Sequence, residues 1–339
     1  MTPIRTLHLQ PKSRLWLIAA AGAVLVFSAL APDAAVAQAT PTFVVVRAMP
    51  AKTKKGETFA TLPPLLKSDV AEVKIGGKHA EVTDFVPLLK GPHGLQLMVL
   101  LDSMEMIGVN GQFDDLNKFF RDLPPNVEIG LGYLLQGNAK IAQGFTTDRS
   151  LLAKAEHLQT REEAANPKND NGNPYSCLRQ LAAHWPDPDP NKMRAVLVFT
   201  DGIIRGNSQG QNGQLNPDVA GTSDALQRAG IVPYPFFYMD PITPDPNRSE
   251  GGQLEGQEYF SELSAASGGA ALDEGMFAPS TFGPLLNKLY TILDSEAVMT
   301  VAANGKPGKL TTLDIKSTRD DIKIFGPDQV MIGNVLGKK

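Results

Sequence analysis

Two strongly apolar segments, each of strand length and each ending in an aspartate, most constrain how this chain can fold. Residues 95–102 read LQLMVLLD, and residues 193–201 read MRAVLVFTD. A strand that is apolar along its whole length is typical of a sheet covered on both faces. Strand-like runs alternate with helical patterns around these segments, and residues 113–123 give the clearest helical pattern. This alternation predicts an α/β fold with a doubly wound, mostly parallel sheet.

The sequence before and after the alternating pattern predicts additional strands. Residues 38–93 are expected to form an N-terminal β-hairpin lead-in, with strands over 70–75 and 79–86 around a Gly76-Gly77 turn. The α/β domain is expected over 94–294, and C-terminal β-strands that pack with the lead-in are expected over 295–339. The Pro, Gly and charge content of residues 240–257 predicts one long surface loop.

The first 37 residues have the three parts of a secretory signal peptide. Arg5, Lys12 and Arg14 precede a 16-residue apolar stretch over 15–30, and small residues follow at Ala35 and Ala37. Cleavage is expected near Ala37 or Ala39, which predicts a secreted or periplasmic protein. An uncleaved membrane anchor is the alternative, although the stretch is shorter than the roughly 20 residues that a helical span needs.

The composition of the mature chain excludes several kinds of site. Removal of residues 1–37 changes the net charge from −4 to −6, which argues against a nucleic acid or an anionic membrane as partner. The single cysteine, Cys177, allows no internal disulfide and no thiolate metal site, and its apolar helical setting predicts a buried thiol. None of the five histidines forms an HExxH pattern, and no Gly-rich phosphate loop or GxSxG motif occurs.

Asp102 and Asp201 are the candidate site residues because each stands at the carboxyl end of an apolar strand. Ligands of open α/β sheets bind beyond these ends, at the point where the strand order reverses. Two carboxylates there are oxygen ligands of the kind that Mg²⁺ or Ca²⁺ uses. Such a pair also suits a hydrolase that works with one acid and one base, although no substrate-positioning motif accompanies it.

The segments LLDSMEM and VFTDG, with the elements between them, resemble the von Willebrand factor A-type domain. The lead-in LLKSDVAEVKIGGKHAEVTDF and the segment YFSELSAASGGAALDEG are similar to bacterial, Acidobacteria-type exported proteins related to that family. The resemblance covers most of residues 60–330. It implies a metal-ion-dependent adhesion site built from Asp-x-Ser-x-Ser, a later threonine and a strand-end aspartate.

This chain departs from that metal-site motif at three of its five positions. The two acids correspond to Asp102 and Asp201, but Met104 and Met106 stand at the serine positions, and residues 171–177 (NGNPYSC) contain no threonine. A thioether is a poor ligand for Mg²⁺ or Ca²⁺. The resemblance therefore implies a degenerate adhesion site without a cofactor. A cation retained by the two acids, with Ser103 or Glu105 and waters, is the alternative.

These observations predict a non-enzymatic protein-binding module, used in adhesion or as a scaffold, whose partner is a protein of the cell envelope or the cell exterior. The contact surface is expected at Ser103, Met104, Glu105, Met106 and Ile107, because methionine adapts to irregular partner surfaces. The metal-dependent adhesion module, the carboxylate hydrolase and a purely structural envelope protein are the other hypotheses.

Overall fold

The computed structural model of the chain describes residues 39–51, 62–135, 137–156, 173–189, 191–204, 217–239, 250–273 and 279–333. The predicted signal peptide lies outside these residues. In the described part of the chain, no helix combines the length and the apolar character that crossing a membrane requires.

A five-stranded sheet forms the centre of the α/β domain, in the order β7-β6-β5-β8-β9. Its strands are β5 (Gly94–Asp102), β6 (Glu128–Leu135), β7 (Asn138–Thr146), β8 (Lys192–Thr200) and β9 (Ile231–Phe237). All neighbours are parallel except β6 and β7. A parallel bridge from Phe236 to Leu272 extends the sheet beyond β9. This order reverses between β5 and β8, as in doubly wound folds, and confirms the predicted fold class.

Helices cover both faces of this sheet. They are α1 (Met106–Asn110), α2 (Phe113–Asp122), α3 (Arg149–Ala155), α4 (Pro174–Ala183), α5 (Pro217–Ala229), α6 (Glu250–Ser267) and α7 (Gly283–Ser295). Side chains of α2, α3 and α7 share one buried cluster with Leu97 and Val99 of β5. Side chains of α4, α5 and α6 share the other with Met98 and Leu100. Alternate residues of β5 thus enter opposite cores, which is why its sequence is apolar throughout.

Eight further strands form two four-stranded sheets, ordered β12-β1-β10-β4 and β13-β11-β2-β3. Their bounds are β1 (Thr40–Pro50), β2 (Val70–Ile75), β3 (Lys78–His79), β4 (Glu81–Pro87), β10 (Ala297–Ala303), β11 (Leu310–Ser317), β12 (Ile322–Phe325) and β13 (Gln329–Met331). The two sheets share one buried apolar cluster, and we call the pair the sandwich. Lead-in strands pair with C-terminal strands in both sheets, as β1 does with β10 and β2 with β11.

Two local expectations from the sequence differ from the structure. The strand predicted over 79–86 is divided at the buried Ala80, because β3 pairs with β2 whereas β4 crosses to the other sheet and pairs with β10. The loop predicted over 240–257 is helical from Glu250 onward. Three glycines in its first turns, Gly251, Gly252 and Gly256, weaken the helical signal in the sequence.

Candidate functional site

The two candidate acids lie side by side at the crest of the sheet, where β5 and β8 end. The parallel register pairs Leu101 with Phe199, so Asp102 is beside Thr200 and just before the level of Asp201. This position is the switch point of the sheet, because the chain adds β6 and β7 on one side of β5 and then β8 and β9 on its other side. The structure therefore brings Asp102 and Asp201 to one edge of the sheet.

Hydrogen bonds within the chain engage both acids. Thr200 Oγ1 donates to Asp102 Oδ2 at 2.6 Å, and Thr200 Oγ1 also accepts from the backbone N–H of Gly202 at 3.3 Å. Asp201 Oδ1 accepts from the backbone N–H of Ile203 at 3.0 Å. Asp102 is 3% exposed, and Asp201 and Thr200 are fully buried. A buried polar group is costly without partners, so this network is what permits acids at this depth.

The turn after β8 is held by α4 and α6. Gly202 has φ of +72°, a conformation that glycine adopts without strain, and a Cβ there would lie 2.9 Å from the ring of Phe260. Tyr175 Oη, on α4, donates to the carbonyl oxygen of Gly202 at 3.2 Å. Burial, and the negative charge of Asp201, raise the pKa of the Tyr175 hydroxyl well above its usual range, so Tyr175 remains a donor.

The segment after β5 forms a 3-10 turn, Ser103–Glu105, that runs into α1. Ser103 is 5% exposed and Glu105 is fully buried. The side chains of Met104, Met106 and Ile107 lie outside the described residues. Gly108 fixes the position of α1, since a Cβ there would lie 1.9 Å from the hydroxyl of the buried Tyr238. The side chains of Ser103 and Glu105 thus face the interior of the protein.

The segment that corresponds to the family's threonine loop leads into α4. Asn173 caps this helix, because its Oδ1 accepts from the backbone N–H of Ser176 at 3.0 Å, while its Nδ2 donates to Asp218 at 3.0 Å. Asp218 also forms an ion pair with Arg179 at 2.8 Å. Cys177 is buried, as its sequence setting predicts, and Asn171 and Gly172 lie outside the described residues.

The donor set at the crest fits a small divalent cation poorly. Across the described residues, no group of three or more His, Cys, Asp or Glu side chains lies close enough to hold a metal ion. Asp102 and Asp201 both accept hydrogen bonds from the chain, and a magnesium ion needs a nearly ideal octahedral oxygen shell. Ser103 and Thr200 are the hydroxyls nearby in sequence, and the hydroxyl of Thr200 is turned toward Asp102 as a donor.

Sequence reasoning did not identify three residues that shape the crest: Thr200, Tyr175 and Gly256. Thr200 is visible in the sequence as the residue before Asp201, but its role depends on the register between β5 and β8. Tyr175 and Gly256 belong to helices that reach the crest only through tertiary packing. A Cβ on Gly256 would lie 2.3 Å from the carbonyl oxygen of Asp201.

A titratable carboxyl lies away from the crest, where α3 ends beside α2. Burial, and the charge of Asp114, raise the pKa of Glu156 to about 7, although Asn117 Nδ2 donates to Glu156 Oε2 at 3.2 Å. Glu156 Oε1 is buried and has no hydrogen-bond partner among the described residues. Since the folded pKa exceeds the ordinary value of 4.5, the folded protein holds this proton more strongly. The protonated carboxyl of Glu156 therefore contributes to the free energy of unfolding. This contribution is fully present below pH 4.5 and is lost as the pH rises through 7.

We therefore expect Glu156→Gln to raise the free energy of unfolding at pH 8 by about 1 kcal/mol, a figure reduced for the partial solvent screening of this side chain. At pH 4 the variant and the parent should have equal stability, because Glu156 is then protonated in both the folded and the unfolded chain. Urea titrations at the two pH values measure the difference. An equal effect at both pH values would show that the change acts through packing and not through the proton.

No protein-family model matches the chain, and no curated protein matches it in sequence. Three solved structures illustrate the similarity in fold. The chain is 13% identical to the conserved hypothetical protein BatB from Bacteroides thetaiotaomicron, with a TM-score of 0.39 over 60% of this chain and 98% of that one. It is 12% identical to the SpRpn10 VWA domain, with a TM-score of 0.37 over 57% of this chain and 94% of that one.

The third structure is the pilus adhesin SpaC from Lactobacillus rhamnosus GG in its open conformation. It is 9% identical to this chain, with a TM-score of 0.39, and the match covers 76% of this chain and 47% of the adhesin. The chain therefore spans about half the length of that adhesin. At these TM-scores, the fold assignment rests on the strand order and the registers described above.

Proposed function

We propose that this chain is an exported, non-enzymatic protein-binding module, and that its contact surface is the crest turn made by Ser103, Met104, Glu105, Met106 and Ile107. The observation that carries the proposal is the buried hydrogen bond from Thr200 to Asp102. It engages Oδ2 of the first acid of the metal motif with a donor from the chain itself. A partner would therefore meet the residues of the turn rather than a bound cation.

The roles within this turn divide by burial. Ser103 and Glu105 are buried, so they offer almost no side-chain surface to a partner. Met104, Met106 and Ile107 are the apolar residues of the turn, and flexible thioethers suit contact with an irregular protein surface. The partner contact is accordingly assigned to these three residues. The adhesion site is then degenerate in the sense that it keeps the two acids but works without the ion.

The double variant Met104→Asp/Met106→Asp tests this surface. We expect the immobilised mature chain to capture a defined protein from an envelope extract, and we expect the double variant to lose at least about nine-tenths of that capture, because two charges would have to be buried at the contact. Leu151→Asp is the matched control, since Leu151 is 37% exposed on α3 and lies outside the turn. Equal capture by both variants would place the contact elsewhere.

N-terminal sequencing of the exported chain tests the signal peptide. The mature chain should begin near Gln38 or Thr40, and a chain that still begins at Met1 would contradict this prediction.

Chelation tests the absence of a cation. EDTA is expected to leave both the melting temperature and the capture unchanged. A bound ion at 100 times its dissociation constant would add about 2.7 kcal/mol, which corresponds to several degrees in melting temperature for a domain of this size. A fall of that size with EDTA, absent in Asp102→Asn, would support the metal-dependent adhesion module instead.

A further inference from the structure

The α/β domain is an insertion between two neighbouring strands of the sandwich. It begins after β4 and ends before β10, and these strands are antiparallel neighbours with Pro87 opposite Ala297. The backbone N–H of Leu88 donates to the carbonyl oxygen of Glu296 at 2.8 Å. Both chain connections therefore leave the sandwich at one place, and any other restraint on the inserted domain must come from noncovalent contacts with the sandwich.

Arg47 of β1, a strand of the sandwich, provides such a restraint. It is 4% exposed, and its Nη1 donates to the carbonyl oxygen of Gly268 at 2.7 Å and to Glu296 Oε1 at 3.1 Å. Its Nη2 donates to the carbonyl oxygen of Gly269 at 2.5 Å. The guanidinium also lies 4.4 Å from the ring centroid of Phe325 on β12. One side chain of the sandwich thus holds the turn that ends α6.

The turn at the end of α6 has little freedom to move against its neighbours. Gly268 has φ of +81°, and a Cβ there would lie 2.8 Å from the backbone nitrogen of Pro327 in the sandwich. A Cβ on Gly269 would lie 1.7 Å from the carbonyl oxygen of Pro233. The backbone N–H of Asp328 donates to the carbonyl oxygen of Ala266 at 2.8 Å. A shift of this turn therefore requires a shift of the β12–β13 connection.

The same helix contacts the turn after β8 about 18 Å away, given a rise of about 1.5 Å for each of the residues between Gly256 and Gly268. Gly256 is so close to the carbonyl oxygen of Asp201 that a Cβ would lie 2.3 Å from it. Phe260, one turn further, contacts Gly202 and is 1% exposed. Since a single continuous helix joins these contacts to Gly268, the crest and the sandwich share one rigid element.

We propose that α6 transmits the position of the sandwich to the turn after β8, Asp201–Gly202, and that Arg47 is the positioning residue at the sandwich end of this link. Whatever displaces β1 or the β12–β13 connection would then displace Asp201 and Gly202. One consequence, that partner capture at the crest depends on the position of the sandwich, rests on the proposed function. The structural link between Arg47 and the crest does not depend on that function.

Amide hydrogen exchange measures the link without a partner. The backbone N–H groups of Gly202 and Ile203 report on the crest, because Thr200 Oγ1 and Asp201 Oδ1 accept from them. In the full mature chain, Arg47→Met should raise their exchange rates at least about tenfold. Leu152→Ala is the control for a general loss of stability, since Leu152 is fully buried on α3, outside the sandwich and α6, and should leave the ratio of crest exchange to core exchange unchanged.

Arg47→Lys extends the test if Arg47→Met does not fold. One ammonium group retains the charge next to Glu296 but lacks the planar fork that serves three acceptors, so a smaller rise in the same amides is expected. Equal crest exchange in the Arg47 variants and Leu152→Ala, or no rise in any of them, would overturn the proposal. Failure of capture by every variant and by the parent chain would count only against the proposed function, because the exchange experiment needs no partner.

Discussion

Glu296→Ala is expected to lower the free energy of unfolding by about 3–5 kcal/mol, because it leaves a buried guanidinium without its counter-ion. Glu296 lies between α7 and β10 and is 1% exposed. Its Oε1 is 3.1 Å from Arg47 Nη1, and its Oε2 accepts from the hydroxyl of Tyr234 at 2.5 Å. Burial raises the pKa of the Glu296 carboxyl, whereas Arg47 and the Tyr234 hydroxyl lower it, so the ion pair depends on these partners.

Chemical denaturation of the parent, of both single variants and of Arg47→Met/Glu296→Ala gives the coupling directly. The double variant should lose less stability than the sum of the two single variants, by at least about 1 kcal/mol. It will not regain the stability of the parent, because the carbonyl oxygens of Gly268 and Gly269 lose their donor. Strict additivity would contradict this prediction. It would mean that Arg47 and Glu296 contribute independently to stability, although their charged groups are 3.1 Å apart.

Phe282→Ala should have an effect of similar size, about 3–5 kcal/mol, through the loss of a large side chain from the core. Phe282 is fully buried just before α7. Its ring centroid lies 5.0 Å from that of Phe199, 4.8 Å from that of Phe236 and 5.0 Å from that of Tyr238. The surrounding strands cannot collapse into the space because β8 and β9 are fixed in register by their hydrogen bonds.

Calorimetry should show a fall in melting temperature of roughly 5–15 °C for Phe282→Ala. Phe282→Leu is the matched control, and it should recover more than half of the loss because it fills most of the same volume. Leu254→Ala, at a residue that is 49% exposed on α6, should change the melting temperature by at most about 2 °C. A fall for Phe282→Ala no larger than that would show that the aromatic cluster repacks around the space.

The sequence predicted most of the α/β architecture because that information is local. An apolar run such as residues 95–102 has few alternatives to a strand covered on both faces, and β5 extends over Gly94–Asp102. The 113–123 periodicity likewise predicted α2, which spans Phe113–Asp122. Because parallel strands place their carboxyl ends on one edge, the proximity of Asp102 and Asp201 also followed from the pattern.

Features that depend on the register between distant segments could not be predicted. The division of the lead-in at Ala80 is decided by the pairing of β4 with β10, whose residues are more than 200 positions away. The bond from Thr200 to Asp102 joins residues 98 positions apart, and it exists only because the register between β5 and β8 places these two residues side by side. The first turns of α6 also depend on distant residues. Glycine has a low helix propensity, but only glycine fits at position 256, because the carbonyl oxygen of Asp201 lies where a Cβ would be.

The sequence by itself therefore determined the class of fold, the edge of the sheet at which a site would form and the two acids that stand there, because hydrophobic period and strand ends are properties of short segments. Only the tertiary structure decided that these acids are buried and satisfied by the chain. It also decided how the lead-in and the C-terminal strands divide between two sheets, and that Arg47 joins the sandwich to α6. Each of these outcomes depends on which distant groups come within hydrogen-bonding distance, and a single sequence carries no direct record of that distance.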